Sequence, residues 1–541
     1  MSDRQSPVII GLAGLLVAAV CLPIFTILVL AISGQGGGWP ANLGSLLSTT
    51  VLLAFGAAFV ALVVGTVLAW LVTYYNFPGR SLLRWMALLP LALPSYIISF
   101  VYVEAFTYAG PFQQFLRDSM GWKNHGDYWF PDIRSVGGAI FVLGFALYPY
   151  VYMAGLTAFL RQPPNQLHVA RTLGRNAWRA FCDVALPQAR PALFIGALLV
   201  AVECINDLGA ATFFGLSTLT TAVYSTWLDQ SNLAGAAQLA LFLIAAMAAF
   251  VFFETVLKER LVRDSKNAGQ TERITLTGWR SMLASALLCV AIVIGFLLPL
   301  ALLISHSWRR LDEFLDAETW QALLNSCLLA VFACITTLLI ALFLAYSLRG
   351  RSSKLSQAIP RVASLGYVLP GTVLGLGVLI PFGQFDQFLN RVIHTMAGST
   401  PGLILSGGIF TLVFAYTTRF LIISISHVED GMAKIPQNID HVARTLGRSK
   451  WSVFRSIHLP LLKPSMVAAA LLVFVDAMKE LPATLILRPF DFETLSTHVF
   501  TLASLGQFES AVIPALIIVL AGFIPVIVLM RNLRQRHGQD L

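Results

Sequence analysis

The sequence predicts an all-α polytopic membrane protein with about twelve transmembrane helices in two parallel six-helix repeats. Three observations point there. Of the 541 residues, 57% are hydrophobic and only 12% charged, where soluble domains carry about 25% charged residues; the mean hydropathy is +0.76. The octapeptide His168-Val169-Ala170-Arg171-Thr172-Leu173-Gly174-Arg175 recurs unchanged as His441-Val442-Ala443-Arg444-Thr445-Leu446-Gly447-Arg448, at an offset of 273 residues. Of the 36 Lys and Arg residues, 27 collect in every second loop between the apolar runs or at the termini.

A span needs about 20 apolar residues. Twelve segments qualify: 8–33, 47–75, 85–109, 136–159, 191–213 and 232–257, then 281–305, 322–348, 361–382, 403–427, 464–486 and 509–530. The first is longer than a signal-peptide core and no A-x-A site ends it, so it reads as an uncleaved span. Loops on the N-terminal side hold 27 basic residues and the opposite loops hold seven, with Arg419 and Lys479 inside spans. Lys and Arg favour the cytoplasmic side, so both termini and both octapeptides are expected in the cytoplasm. The same rule accounts for the net charge of +9 without invoking nucleic acid. The six cysteines show no CxxC or other ligand spacing, which excludes a disulfide framework.

Six spans per half is an even number, so the halves enter the membrane in the same orientation, as parallel repeats. The expected division is 1–257 for the first half, 258–280 for a polar cytoplasmic linker and 281–541 for the second. Leu93-Pro94 parallels Leu369-Pro370, and Thr218-Leu219-Thr220-Thr221 parallels Thr494-Leu495-Ser496-Thr497. One outer loop, Gly110 to Ser135, stands apart. Pro111 to Met120 fits a short amphipathic helix with Phe112, Phe115 and Leu116 on one face. Trp122, Tyr128, Trp129 and Phe130 suit a membrane interface or a ledge for an extracytoplasmic partner.

Each octapeptide reads as a short helix closed by glycine. Asn165 is a plausible N-cap in the first copy, and Gly174 and Gly447 are left-handed stops. Leu186-Pro187 and Leu459-Pro460 then end a second amphipathic segment ahead of the next span. The helix is expected to present Ala170 and Leu173 beside Arg171, a small apolar patch with a basic rim. There is no Gly-Lys dipeptide, hence no P-loop, and no HExxH or GxSxG. The chain is therefore not expected to be an enzyme.

This spacing resembles the cytoplasmic signature of ABC-transporter permeases of the binding-protein-dependent importer type: EAA, three residues, Gly, nine residues, Ile, one residue, Leu-Pro. The first copy matches with His168-Val169-Ala170, Gly174, Val184 and Leu186-Pro187, the second with His441-Val442-Ala443, Gly447, Ile457 and Leu459-Pro460. Both depart at the first two positions, with His for Glu and Val for Ala. The resemblance implies a type I importer permease of the bacterial inner membrane. It implies coupling helices built from His168, Val169, Ala170, Arg171, Leu173 and Gly174, and from His441, Val442, Ala443, Arg444, Leu446 and Gly447. Two copies of an ABC ATPase would grip them, with ATP and magnesium on that partner and no cofactor on this chain. A periplasmic binding protein would deliver the cargo.

Intramembrane charges cost roughly 2.5–3.5 kcal/mol each on insertion scales and mark function by default. Glu203 and Asp207 map onto Asp476 and Glu480 at offset 273. Four residues apart, each pair is expected to share a helix face, about 18 and 24 Å from Pro191 in the first half. Four carboxylates near one axis would favour a cation. The alternative is structural pairing, with Arg419 neutralising Asp476 or Glu480 and Lys479 pairing with its own neighbours. Tyr128-Trp129-Phe130-Pro131-Asp132-Ile133-Arg134-Ser135, Leu147-Tyr148-Pro149-Tyr150-Val151-Tyr152 and Asp476-Ala477-Met478-Lys479-Glu480-Leu481-Pro482-Ala483-Thr484 look like the fused double-length ferric-iron permeases. Fe³⁺ prefers oxygen ligands. Thiamine and aminoethylphosphonate stay open as cargoes, any metal ligands are unknown, and the rival class is a twelve-span secondary transporter.

Overall fold

A computed structural model of the chain describes residues 7–33, 42–163, 169–170, 172, 174–263, 273–308, 316–348, 365–436 and 438–536. Among these, ten helices are long and apolar enough to cross a membrane. The pair Arg80–Ala92 and Ser95–Met120, bent by 88°, makes an eleventh. Pro7–Ser33, helix α1, completes the set. Each of the twelve expected segments thus has its helix, and the described residues are all-α apart from one short parallel bridge. Tyr75–Asn76 (β1) pairs with Ile274–Thr275 (β2) at the end of the expected linker.

The chain forms two compact units, and they are not the two sequence halves. One comprises Met1–Gly38, Val223–Ile244 and Phe314–Thr501; the other comprises Trp39–Ala222, Ala245–Glu313 and Leu502–Leu541. The first span of each sequence half therefore belongs to the unit built mainly from the other half.

In the second of these units, α2 (Leu43–Tyr74), α5 (Val136–Leu160) and α6 (Trp178–Asn206) pack on one another. Between them chronologically lie α3 (Ser95–Phe106) and α4 (Pro111–Met120). Helices cannot be driven together in lipid by the hydrophobic effect, so close backbone approach at small residues takes its place. Gly65 of α2 shows this: a Cβ there would lie 2.8 Å from the Tyr152 backbone nitrogen. The short helices α7 (Leu208–Phe213) and α8 (Leu219–Leu228) follow α6, and α9 (Leu233–Arg263) follows them. Helix α10 (Trp279–Ser307) lies against Pro90 and the Phe145 carbonyl through Gly295.

The other unit repeats the three-helix arrangement with α11 (Ala317–Leu348), α13 (Ile409–Ala433) and α15 (Trp451–Met478). Its core gathers Leu342, Leu421, Ile425, Val428 and Leu462, and Val20 of α1 joins them. Helix α1 also packs on α12 (Gly371–Ala397), with Pro23 against Gly377. α12 runs well past the expected end at residue 382. The reason is Asp386, fully buried, which accepts hydrogen bonds from the amides of Leu405 (2.9 Å) and Ser406 (2.7 Å) and from the Ser406 hydroxyl (2.6 Å). An acid that interrupts the apolar pattern is here used to clamp the following loop. This unit also holds α14 (Asn438–Thr445), α16 (Pro482–Leu487) and most of α17 (Leu495–Ser504), and α18 (Phe508–Arg536) belongs to the unit described before it.

The loop from Gly110 to Ser135 forms α4 as expected. Its buried residue is Gln113, which donates to the Phe106 carbonyl (2.8 Å) and accepts from the Tyr128 hydroxyl (2.6 Å). Arg117 lies 4.2 Å over the Tyr108 ring. Phe112, Phe115 and Trp129 face outward. The polar side is turned inward because it carries the loop's own hydrogen bonds.

The turn after α16 is longer than its first-half counterpart, Gly215-Leu216-Ser217, and is stapled by charge. Glu493 takes the Arg488 guanidinium on one oxygen and His498 Nδ1 (2.9 Å) on the other. The His498 hydrogen bond, then Arg488, hold its carboxyl well below the usual 4.5, at about 2. A depressed folded-state pKa stabilises above the unfolded value and is lost as pH falls through the folded one. Protection of the amides of residues 488–498, taken relative to the intrinsic exchange rate at each pH, is therefore expected to be high above about pH 4.5 and to fall as pH drops from there toward 2. Glu493→Gln should flatten that dependence; an unchanged pH profile in the variant would refute the staple.

Candidate functional site

The two octapeptide segments, each a handle at the start of the helix that follows it, come first. In the second copy α14 ends at Gly447, whose φ of +74° is left-handed. The Arg448 amide donates back to the Ala443 carbonyl at 3.0 Å, the bond expected when glycine closes a helix in this way. In the first copy Gly174 has φ +80° and the Arg175 amide reaches the Ala170 carbonyl, also at 3.0 Å. The repeated sequence thus builds the same cap twice. His168, Arg171 and Leu173 lie outside the described residues, as does the Arg444 side chain.

The exposed surface differs from expectation. Ala170 and Ala443 are 6% and 5% exposed and face the body of the protein. The apolar side chains offered outward are Val169 (54%), Val442 (58%) and Leu446 (75%). On a short helix resting on a support, the smallest residue takes the side of closest approach. His441 is exposed beside them. Beneath the second handle, Asp440 of α14 meets the buried His458 of α15 at 2.8 Å. In the first copy Arg175 pairs with Asp183 at 3.0 Å, about half exposed, a pair worth little in water. A second correction concerns Leu-Pro. Neither Leu186-Pro187 nor Leu459-Pro460 ends a segment; the helix runs through both by way of a π-helical turn.

The acids sit where helices break. Both pairs are expected on single helix faces, but α6 stops at Asn206 and α15 at Met478, so the second acid of each pair has left the helix. Asp207 instead accepts the Ala210 amide at 2.8 Å and caps α7. Glu480 accepts the Ala483 amide at 3.0 Å and caps α16. A side-chain oxygen that bonds a backbone amide three residues on competes with helix continuation, and this is what sequence periodicity misses. Each short helix then returns through the same threonine turn. The Thr218 amide donates to Thr221 Oγ1 at 2.8 Å, and the Thr494 amide to Thr497 Oγ1 at 2.9 Å. The next amides reach Thr50 Oγ1 (2.9 Å) and Ser326 Oγ (2.7 Å).

The two sites differ in charge. Arg419 Nε lies 3.4 Å from Glu480 Oε2, with side chains 13% and 5% exposed. Gly371 makes room for them: a Cβ there would be 2.9 Å from Arg419 Nη1 and from Glu480 Oε1. Thr484 donates to the Glu480 carbonyl (3.0 Å) and meets the buried Tyr416 hydroxyl (2.6 Å). Lys479 pairs with Asp476 at 2.8 Å. At offset 273 the first-half position matching Arg419 is Ala146, so Asp207 has no equivalent arginine. Sequence reading named Arg419 as a partner for the acids but gave no sign of Gly371 or Tyr416, which carry no periodic signal. Among the described residues no three His, Cys, Asp or Glu side chains come together to hold a metal ion.

Known proteins share this arrangement of sequence. The family described as binding-protein-dependent transport system inner membrane component matches residues 61–264 and again 337–538. The chain is 26% identical over 499 residues to the Fe(3+)-transport system permease protein FbpB 2 of Haemophilus influenzae, covering 91% of this chain and 90% of that one. It is 30% identical over 271 residues to PhnV of Salmonella typhimurium, whose name assigns it to 2-aminoethylphosphonate transport, covering 47% and 96%. It is 31% identical over 228 residues to the sulfate transport system permease protein CysW of Escherichia coli K12, covering 41% and 75%.

Removing one member of a buried ion pair costs about 3–5 kcal/mol, because the other charge is stranded. Arg419→Leu is expected to destabilise the protein by about that amount, read as a lowered thermal unfolding midpoint in detergent. Arg419→Leu with Glu480→Gln should recover most of the loss, since glutamine keeps an oxygen for the Ala483 amide. Equal instability of the single and double variants would show that Glu480 is not held by Arg419.

Proposed function

The chain belongs to the family of binding-protein-dependent transport system inner membrane components, and on that premise we propose that it is the permease of an importer for ferric iron. The observation that carries the choice of cargo is the extent of one likeness. Similarity to a permease named for Fe(3+) transport runs through 91% of this chain and 90% of the relative. The likeness to PhnV covers 47% of this chain. Its higher identity, 30% against 26%, makes 2-aminoethylphosphonate the second reading.

In this reading a periplasmic binding protein releases ferric iron at the outer face. Two copies of a separate ATPase, which carry the ATP and magnesium, engage the exposed Val169, Val442 and Leu446 on the cytoplasmic side. Residues 1–257 and 281–541 act as the two repeats, joined through 258–280, with both termini in the cytoplasm. The 27-to-7 division of basic residues between alternate loops supports that orientation. Glu203, Asp207, Asp476 and Glu480 lie on the path of the ion. Lys479 and Arg419 stand 2.8 and 3.4 Å from Asp476 and Glu480, whereas the first-half position matching Arg419 is Ala146, so Asp207 carries more of the attraction for a trivalent cation than Glu480 does.

Proteoliposomes holding the chain with its ATPase and binding protein test this. ATP-dependent accumulation of radiolabelled ferric citrate iron is expected, with none of labelled 2-aminoethylphosphonate; the reverse would replace the first reading by the second. Asp207→Asn should keep the α7 cap yet lower iron uptake about tenfold, the equivalent of about 1.4 kcal/mol. Gly447→Val, which forces a β-branched residue into a left-handed position at a cost of about 1–2 kcal/mol, should abolish ATP-dependent uptake while membrane insertion persists.

A further inference from the structure

The Leu-Pro pairs that close the repeated motif remain to be explained. Among the described residues three helices contain a π-helical turn, and each turn runs straight into Leu-Pro. They are Phe181–Ala185 before Leu186-Pro187, Val293–Leu297 before Leu298-Pro299, and Phe454–His458 before Leu459-Pro460. The first and third stand at offset 273, at the foot of the two handles.

Proline has no amide hydrogen, and its ring collides with the carbonyl four residues back. A helix can answer with a kink or by taking in one extra residue as a π turn. All three helices take the extra residue. The leucine amides bond five residues back, Leu186 to Phe181, Leu298 to Val293 and Leu459 to Phe454. Proline alone is not sufficient, because Pro191 and Pro464 lie in the same helices within ordinary α ladder.

What the three turns add is a side chain that fastens them. Gln162 Nε2 donates to the Ala185 carbonyl at 2.8 Å and is itself held by the Tyr74 hydroxyl at 2.8 Å. The Tyr102 hydroxyl donates to the Ile294 carbonyl at 2.6 Å, the acceptor that Pro299 leaves without a donor. In the third turn His458 meets Asp440 at 2.8 Å, and Asp440 belongs to the handle itself. Aromatic rings pin the first residue of both motif turns: Trp70 lies 4.6 Å from Phe181, and Tyr346 lies 4.8 Å from Phe454.

We propose that Leu-Pro at the end of each motif builds a π turn that sets the rotational phase of the handle on its span. In the second half the Asp440–His458 contact ties the handle to that turn, so the two move only together. One residue of α-helix is about 100° of rotation and 1.5 Å of rise. Annealing the turn into α-helix would swing the chain on the handle side by about that angle. Pro460, His458 and Asp440 are positioning residues in this scheme, and the scheme is independent of the cargo.

Amide hydrogen exchange of the full chain in lipid nanodiscs tests it without any transport assay. Pro460→Ala should release the phase and speed exchange across residues 438–447 about tenfold. Deleting Arg455 in the same variant removes the surplus residue, restores the phase with a straight α-helix and should return exchange to the parental rate. Parental exchange in Pro460→Ala, or no rescue by the deletion, overturns the proposal. Should Pro460→Ala fail to insert, Asp440→Ala decides: faster exchange over 438–447 supports the tie, and parental exchange overturns it. Pro299→Ala, at the turn remote from the motif, should leave 438–447 unchanged; equal loosening there would also overturn the proposal.

Discussion

Hydrocarbon offers no hydrogen bonds, so every backbone donor or acceptor set free inside a bilayer needs a partner within the protein. The unusual features of this chain are answers to that demand. Where α6 and α15 break, Asp207 and Glu480 take the first loose amides of α7 and α16. Where the chain returns, threonine hydroxyls and then Thr50 and Ser326 take the next ones. Where proline removes a donor from α10, the Tyr102 hydroxyl fills the vacancy. The carboxylates that look like costly intramembrane charges are also the groups that make interrupted helices tolerable.

The two halves repeat this frame but not its charges. The second half adds Arg419 on Glu480, Lys479 on Asp476, Asp440 on His458, and Arg488 with His498 on Glu493. The corresponding first-half positions of Arg419, Asp440 and His458 hold Ala146, Leu167 and Ala185. The first half fastens its π turn with neutral groups, Gln162 and Tyr74. A duplicated backbone has thus been kept while these positions diverged, the second copy fastening its π turn through Asp440 and His458 and the first through an amide and a phenol. Because the cost of desolvating both charges offsets much of their attraction, such pairs add little net stability, while loss of one partner of a buried pair is costly.

Much of this was legible in the sequence. Twelve apolar runs marked the twelve helical segments, because span length is fixed by bilayer thickness. The glycine of each octapeptide foretold the left-handed cap, since few residues other than glycine adopt it cheaply. Arg419 was visible as a possible neutraliser of the acids. The breaks at Asp207 and Glu480 were not, because hydropathy runs through them unchanged and the cap is a single hydrogen bond. The π turns were hidden for a related reason: Leu-Pro reads locally as a stop, and only packing such as Trp70 on Phe181 makes it a bulge. The inward turn of Ala170 and Ala443 depends on what lies beneath the handles, which octapeptide periodicity does not encode.

Helix α1 has Pro23 against Gly377 of α12, and Val20 sits among Leu342, Leu421 and Leu462. More than half the chain lies between these partners. During synthesis the first helix is made long before these partners exist, and until then that face meets lipid. The unit it completes can close only late, after residues deep in the second half have followed. Biogenesis of this protein is therefore governed by long-range closure, which is intrinsically slow, and a chain stopped near its middle would leave a helix with lipid as its sole neighbour on that face.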